Sequence, residues 1–126
     1  MSKARVLYIE DNMDNMRLVK RILEIEGYEV ISAHNGQEGL DKAFADNPDI
    51  VITDINLPDI DGYQVTDTLK KADQTAHIPV IAMTANALPK DKDHVFRAGC
   101  DGFISKPIDV DELPLQIENF LKGVFT

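Results

Sequence analysis

The stretch Ile50-Val51-Ile52-Thr53-Asp54-Ile55-Asn56-Leu57-Pro58 joins four consecutive β-branched residues to an aspartate. β-Branched side chains crowd the preceding turn of a helix and pack well on a pleated surface, so Ile50–Thr53 reads as a strand. The run is apolar at successive rather than alternate positions, the pattern of a strand covered on both faces. Asp54 then closes a buried strand. Similar runs recur at Val6–Ile9, Tyr28–Ala33, Ile78–Thr84 and, more weakly, Gly102–Ile104.

Between these runs lie longer segments with apolar residues at helical spacing. The first carries Met16, Val19, Ile22 and Leu23, and the second Gly39, Leu40, Ala43 and Phe44. A third is expected from Gly62 to Ala72 with Val65 and Leu69 inward, and a short fourth between Pro89 and Ala98. The fifth sets Leu113, Ile117, Phe120 and Leu121 on one face, behind a capping-box-like Asp109 and Glu112. Gly27, Gly99, Asn47-Pro48 and Asp61-Gly62 fall where helices should stop or turns should sit. Five strand–helix units imply an α/β, doubly wound, five-stranded parallel sheet with right-handed crossovers and helices on both faces. Ligands of such sheets bind outside the carboxyl ends of the strands. Glu10 and Asp11 follow strand 1, Asp54 closes strand 3, Thr84 closes strand 4 and Lys106 follows strand 5, so all five belong to one sheet edge.

Composition narrows the chemistry. The 126 residues, the size of one domain, carry 13 Lys+Arg against 22 Asp+Glu, a formal charge of −9. Such a surface repels a phosphate backbone, and no basic run offsets it, so direct nucleic-acid binding is not expected. The longest nearly apolar stretch, Ile78 to Met83, is six residues, where a membrane-spanning helix needs about twenty. The apolar run Val6–Ile9 is stopped by Glu10 and Asp11, so it makes no signal peptide. A lone Cys100 makes no disulfide or cysteine zinc site and suits a reducing, cytoplasmic setting. The acidity is also uneven: six of the thirteen residues in windows 10–14 and 54–61 are carboxylates.

Three converging carboxylates repel; at about 4 Å and an effective dielectric near 20, each pair costs roughly 4 kcal/mol. A cation is therefore expected. Oxygen ligands from Asp11 and Asp54, with Glu10 acting through water, suit a hard divalent ion that keeps several waters, which is Mg²⁺. Mg²⁺ held by one or two carboxylates commonly meets phosphate oxygens, Lys106 adds a second positive point, and the Thr84 hydroxyl can donate a hydrogen bond. This is a phosphoryl-transfer constellation with Asp54 as nucleophile.

These elements resemble the response-regulator receiver domain: Glu10-Asp11 after strand 1, Asp54 followed by Asn56-Leu57-Pro58 and Gly62, Thr84-Ala85 after strand 4, and Lys106-Pro107 after strand 5. The resemblance spans the chain, residues 1–126, and is similar to the stand-alone chemotaxis- and cell-division-regulator type. It implies the flavodoxin-like strand order 2-1-3-4-5 and five helices. It also implies that Asp54 accepts a phosphoryl group from a histidine kinase or histidine phosphotransfer protein, with Thr84 and Lys106 contacting the phosphoryl oxygens. Mg²⁺, with Mn²⁺ able to substitute, is implied on Asp11, Asp54 and the Asn56 carbonyl, with Glu10 contributing through water. Lys106-Pro107 is the family's cis peptide. Thr84 and Phe103 correspond to its switch pair; Phe103 has no hydroxyl, so packing alone is expected to turn the ring inward. Asn56 and Asn86 flank the phosphoryl position and tune its lifetime in the family; as uncharged amides, neither activates water, so a long-lived acyl phosphate is expected. The protein would catalyse only its own phosphorylation and dephosphorylation.

Only about four residues, Gly123 to Thr126, follow the fifth helix, so no effector domain is expected and output is expected in trans. Within the family this means a target bound by the face of helix 4, strand 5 and helix 5, or a relay passing the phosphoryl group to a histidine phosphotransfer protein. A monomer or weak dimer fits either. Met13, Asn15, Met16 and Arg17 lie beside the site, where a mixed apolar and polar surface suits a partner's helix bundle, although Met16 reads equally well as core. Asp14, Asp59 and Asp61 read as solvated loop or helix-start carboxylates, and Asp11 or Asn12 is a candidate helix cap. His34, His77 and His94 share no triad or metal spacing; Cys100 and Met83 read as core. An aspartate-nucleophile phosphatase generally wants a second acid two residues after the first, where this chain has Asn56. A flavin or nucleotide module wants a phosphate-cradling loop after strand 1, and Glu10-Asp11-Asn12 is its electrostatic opposite.

Overall fold

The computed structural model describes residues 3–85 and 89–123. Strands and helices alternate: β1 (Arg5–Ile9), α1 (Met13–Ile25), β2 (Glu29–Ala33), α2 (Gly36–Asp46), β3 (Ile50–Asp54), α3 (Gly62–Lys71), β4 (Val80–Thr84), α4 (Pro89–Arg97), β5 (Gly102–Ser105) and α5 (Leu113–Leu121). All strand pairs are parallel and the order is β2-β1-β3-β4-β5. No helix among the described residues is long and apolar enough to cross a membrane.

The period of two along each strand sorts the core into two faces. Val6 and Tyr8 of β1, Ile50 and Ile52 of β3, and Ile81 and Met83 of β4 pack with Met16, Val19 and Leu23 of α1 and Leu113, Ile117 and Phe120 of α5. The alternate residues Leu7, Ile9, Val51 and Val80 pack with Leu40 and Ala43 of α2 and Val65 and Leu69 of α3. A smaller cluster of Ile55, Ala82, Val95 and Cys100, with Tyr63 and Phe103 at its margin, joins α4 to the second face. Each fully buried large apolar side chain is worth about 1.5–3 kcal/mol, so both faces clamp the sheet that carries the acidic edge.

The punctuation acts as expected. Asn12 caps α1 through Asn15 N–H, Asn35 caps α2 through Glu38 N–H, and Asp61 with Gln64 forms a full capping box on α3. Asn47 closes α2 in the left-handed region. Several details differ from expectation: β1 begins at Arg5, α3 ends at Lys71 and β5 runs on to Ser105. β4 begins at Val80 rather than Ile78, because Pro79 has no N–H to give to the ladder and Ile78 N–H instead closes a turn onto the Thr75 carbonyl. β2 begins at Glu29, one residue after the buried Tyr28. At α5 the Asp109 carboxylate accepts the N–H groups of Asp111 and Glu112, in a turn before the helix. Glu112, the N-cap itself, makes no side-chain cap hydrogen bond, so the reciprocal capping box is absent there.

Candidate functional site

Adjacent strands β1, β3, β4 and β5 end side by side, and their registers pair Ile9 with Thr53, Asp54 with Met83 and Thr84 with Ser105. Side chains at or just beyond these ends therefore meet at the carboxyl edge of the sheet. Glu10 is fully buried, Asp54 is 6% exposed and Thr84 is 8% exposed, while Asp11 faces solvent. Because Asn12 caps α1, Asp11 is left to the pocket. Oxygens of Glu10, Asp11 and Asp54 lie within 4.8 Å of one another.

Lys106, reached through the backbone hydrogen bond from its N–H to the Thr84 carbonyl, lies next to the cis Lys106–Pro107 bond. Its ammonium donates to Asp54 Oδ2 at 2.9 Å and to Glu10 Oε1 at 3.0 Å. The other Asp54 oxygen, Oδ1, accepts the Asn56 N–H at 3.2 Å. Burial and the neighbouring Asp54 carboxyl push Glu10 above the usual glutamate range, while Lys106 pulls it back. Burial alone would lower the Lys106 ammonium; its contacts with Asp54 and Glu10 outweigh this and hold it above the ordinary lysine value.

The backbone at Asp54 is held equally closely. Gly62, the first residue of α3, donates its N–H to the Ile55 carbonyl, and a Cβ there would lie 2.5 Å from the Asp54 carbonyl oxygen and 2.9 Å from Ile55 Cα. Only glycine lets α3 start this close to the strand end. Asp59, in the same loop, accepts Gly36 N–H at 2.7 Å and Gln37 N–H at 2.9 Å, tying the loop to the N-terminus of α2.

Three carboxylates and one ammonium leave a formal excess of two negative charges, and every carboxylate oxygen is a hard donor. That set fits one divalent cation of the Mg²⁺ kind, with the exposed Asp11 leaving access for retained water. It does not fit a zinc-type site: no histidine or cysteine joins the group among the described residues.

The structure thus brings Glu10, Asp11, Asp54 and Lys106 together, with Thr84 at the adjoining strand end and Asn56 beside Asp54. Asn86 lies outside the described residues. Phe103 departs from the inward ring expected of it: it is only half-buried, meets Phe96 edge-on at 6.3 Å and lies under the Lys92 ammonium at 4.9 Å. Those α4 partners give the ring apolar and cation contacts near the surface, so it need not bury itself to be satisfied. Met16 belongs to the core, which removes it from any docking surface, whereas Met13 is 47% exposed. Three contributors have roles the sequence did not show: Tyr8 was not singled out, Asn15 was read only as part of a partner surface, and Asp59 was read as a solvated loop or helix-start carboxylate. Tyr8 and Asn15 both donate to Glu10, and Asp59 caps α2 from a distance. For Tyr8 the signal was its spacing of two from Glu10 on one strand; for Asp59 no local signal existed.

The family described as "Response regulator receiver domain" matches residues 6–118. The chain is 43% identical over 116 residues to the polar-differentiation response regulator DivK of Brucella anthropi, covering 92% of this chain and 94% of that protein. With the protein of the same name from Brucella ovis it shares 41% identity over 121 residues, covering 96% and 98%. Among solved structures it is similar to the chemotaxis response regulator CheY4 of Vibrio cholerae, with a TM-score of 0.88, 28% identity and coverage of 92% and 97%. A response regulator structure from Chloroflexus aurantiacus gives a TM-score of 0.90 at 29% identity, covering 94% and 98%.

Proposed function

The chain belongs to the response-regulator receiver family, and from that membership we propose that Asp54 accepts a phosphoryl group from a phosphohistidine on a histidine kinase or phosphotransfer protein. One observation carries the reading: the Lys106 ammonium is shared between Asp54 Oδ2 and Glu10 Oε1 at the centre of a three-carboxylate pocket. In the transfer a carboxylate oxygen of Asp54 forms the new P–O bond while the donor P–N bond breaks, its electron pair returning to the imidazole nitrogen. The Asn56 N–H on Oδ1 and Lys106 on Oδ2 orient the carboxylate before attack. Lys106 and the Thr84 hydroxyl then supply donors for the phosphoryl oxygens, preset at two neighbouring strand ends. Held by Asp11, Asp54 and the Asn56 carbonyl, with Glu10 acting through water, Mg²⁺ (or Mn²⁺) would neutralise charge on the carboxylate and phosphoryl oxygens.

The same reading gives the output. The phosphoryl group draws on Thr84 and Lys106, and Phe103, between those residues in the sequence, packs against α4 through Phe96 and Lys92. A change at the strand ends therefore has a route to the α4/β5/α5 face, which would bind a separate target protein in trans. Capture of partners by the wild type, an Asp54→Asn variant and protein carrying an acyl-phosphate mimic tests this. Partners gained or lost with the mimic and insensitive in Asp54→Asn are expected; an identical partner set in all three states would overturn it. Asn56 beside Asp54 cannot activate water as a carboxylate could, so the phosphoryl group is expected to outlast a few seconds in a decay assay with Mg²⁺.

A further inference from the structure

Tyr8 has the bulkiest of the fully buried side chains among the described residues, yet it carries a hydroxyl. Its ring lies in the core between the sheet and α1 and α5. Its hydroxyl donates to Glu10 Oε1 at 3.0 Å and lies 3.5 Å from Met83 Sδ. Tyr8 and Glu10 are two residues apart, so both side chains leave β1 on the same side. A phenol carries its own O–H, so at this distance Tyr8 is the donor and the carboxylate the acceptor.

The two oxygens of Glu10 are unequally engaged. Oε1 accepts from Tyr8 at 3.0 Å, from Lys106 at 3.0 Å and from Asn15 Nδ2 at 3.3 Å. Oε2 accepts a long contact of 3.4 Å from the Asn12 N–H, and the carboxylate as a whole also lies against the Asp54 carboxyl. Oε1 is thus committed inward and Oε2 is the oxygen left for an ion or its water. Lys106 also serves Asp54, and a phosphoryl group there would compete for its donors. Glu10 is completely buried, so solvent does not replace a lost donor.

Resting on the Mg²⁺ site proposed above, we propose that Tyr8 is a positioning residue of that site: its hydroxyl anchors Glu10 Oε1, leaves Oε2 for the ion or its water, and keeps the carboxylate satisfied when Lys106 turns to the phosphoryl group. Outer partners that orient a ligand typically change metal affinity by about 10–100-fold, and Glu10 acting through water places Tyr8 at the lower end. Calorimetric Mg²⁺ titration of unphosphorylated protein tests it in wild type, Tyr8→Phe, Glu10→Ala, the double variant and Met83→Leu. Tyr8→Phe should weaken Mg²⁺ about tenfold, should add nothing once Glu10 is alanine, and Met83→Leu should leave the Kd unchanged. An unchanged Kd in Tyr8→Phe, an equal loss in both backgrounds, or the same loss in Met83→Leu would reduce Tyr8 to a core residue. Wild-type protein that takes up no Mg²⁺ would overturn the ion site itself, and the role of Tyr8 with it.

Discussion

Lys106 balances two carboxylates that are almost wholly removed from water. Replacing it by methionine leaves Glu10 and Asp54 facing each other, which should cost about 3 kcal/mol in metal-free protein, the scale of breaking a buried ion pair. Saturating Mg²⁺ should restore most of that loss. Urea unfolding with and without Mg²⁺ reads it, and a deficit unaffected by the ion would show that the carboxylates do not share a cation site. Asp59 offers a pH test. Slight burial would raise its carboxyl, but the N–H groups of Gln37 and Gly36 outweigh this and hold it below the ordinary aspartate range. Its stabilisation is therefore present above the unfolded value and lost as pH falls through the lower folded value. Asp59→Ala should cost about 1 kcal/mol near neutral pH, and the gap from wild type should close in acid; a gap independent of pH would exclude the charged cap. The site acids were legible in the sequence because each stands where an apolar run stops. Tyr8 was not, because the destination of its hydroxyl depends on a rotamer inside the core, and Asp59 was not, because its partners lie 22 and 23 positions away.

The strands were readable from their β-branched runs, and their ends came out within two residues. Where they shifted, one hydrogen bond decided: Pro79 cannot donate to the ladder, and Val80 N–H starts β4 by donating to the Asp101 carboxylate. The start of α5 was misread for a related reason. A capping box looks the same in sequence whether its first residue caps a helix or, like Asp109, the turn before one. Gly62 tests how α3 and β3 build the site together. An alanine Cβ 2.5 Å from the Asp54 carbonyl oxygen forces the strand end and helix start apart, for about 1–3 kcal/mol. The displaced Asp54 should also be phosphorylated more slowly by a small phosphodonor. Full activity in a destabilised Gly62→Ala protein would show that the site tolerates the shift.

The order β2-β1-β3-β4-β5 was implied by the resemblance and not by periodicity, because strand runs alone do not say on which side of β1 each crossover lands. The parallel, doubly wound architecture did follow from the strand–helix alternation, and with it the prediction that one edge holds the chemistry. The charge of −9 divides accordingly: three carboxylates converge on one pocket, beside a lysine that leaves two charges uncompensated. An ion taken up only by the folded chain should stabilise it by about 2.7 kcal/mol at a concentration one hundred times its Kd. Thermal unfolding should thus shift upward with Mg²⁺ in wild type and much less in Asp54→Ala. The most direct test remains the phosphoacceptor. Wild-type protein incubated with a small phosphodonor, with and without Mg²⁺, is reduced with borohydride and mapped by mass spectrometry. Conversion should appear at Asp54, depend on Mg²⁺ and vanish in Asp54→Asn; modification at another residue, or undiminished labelling of Asp54→Asn, would contradict it.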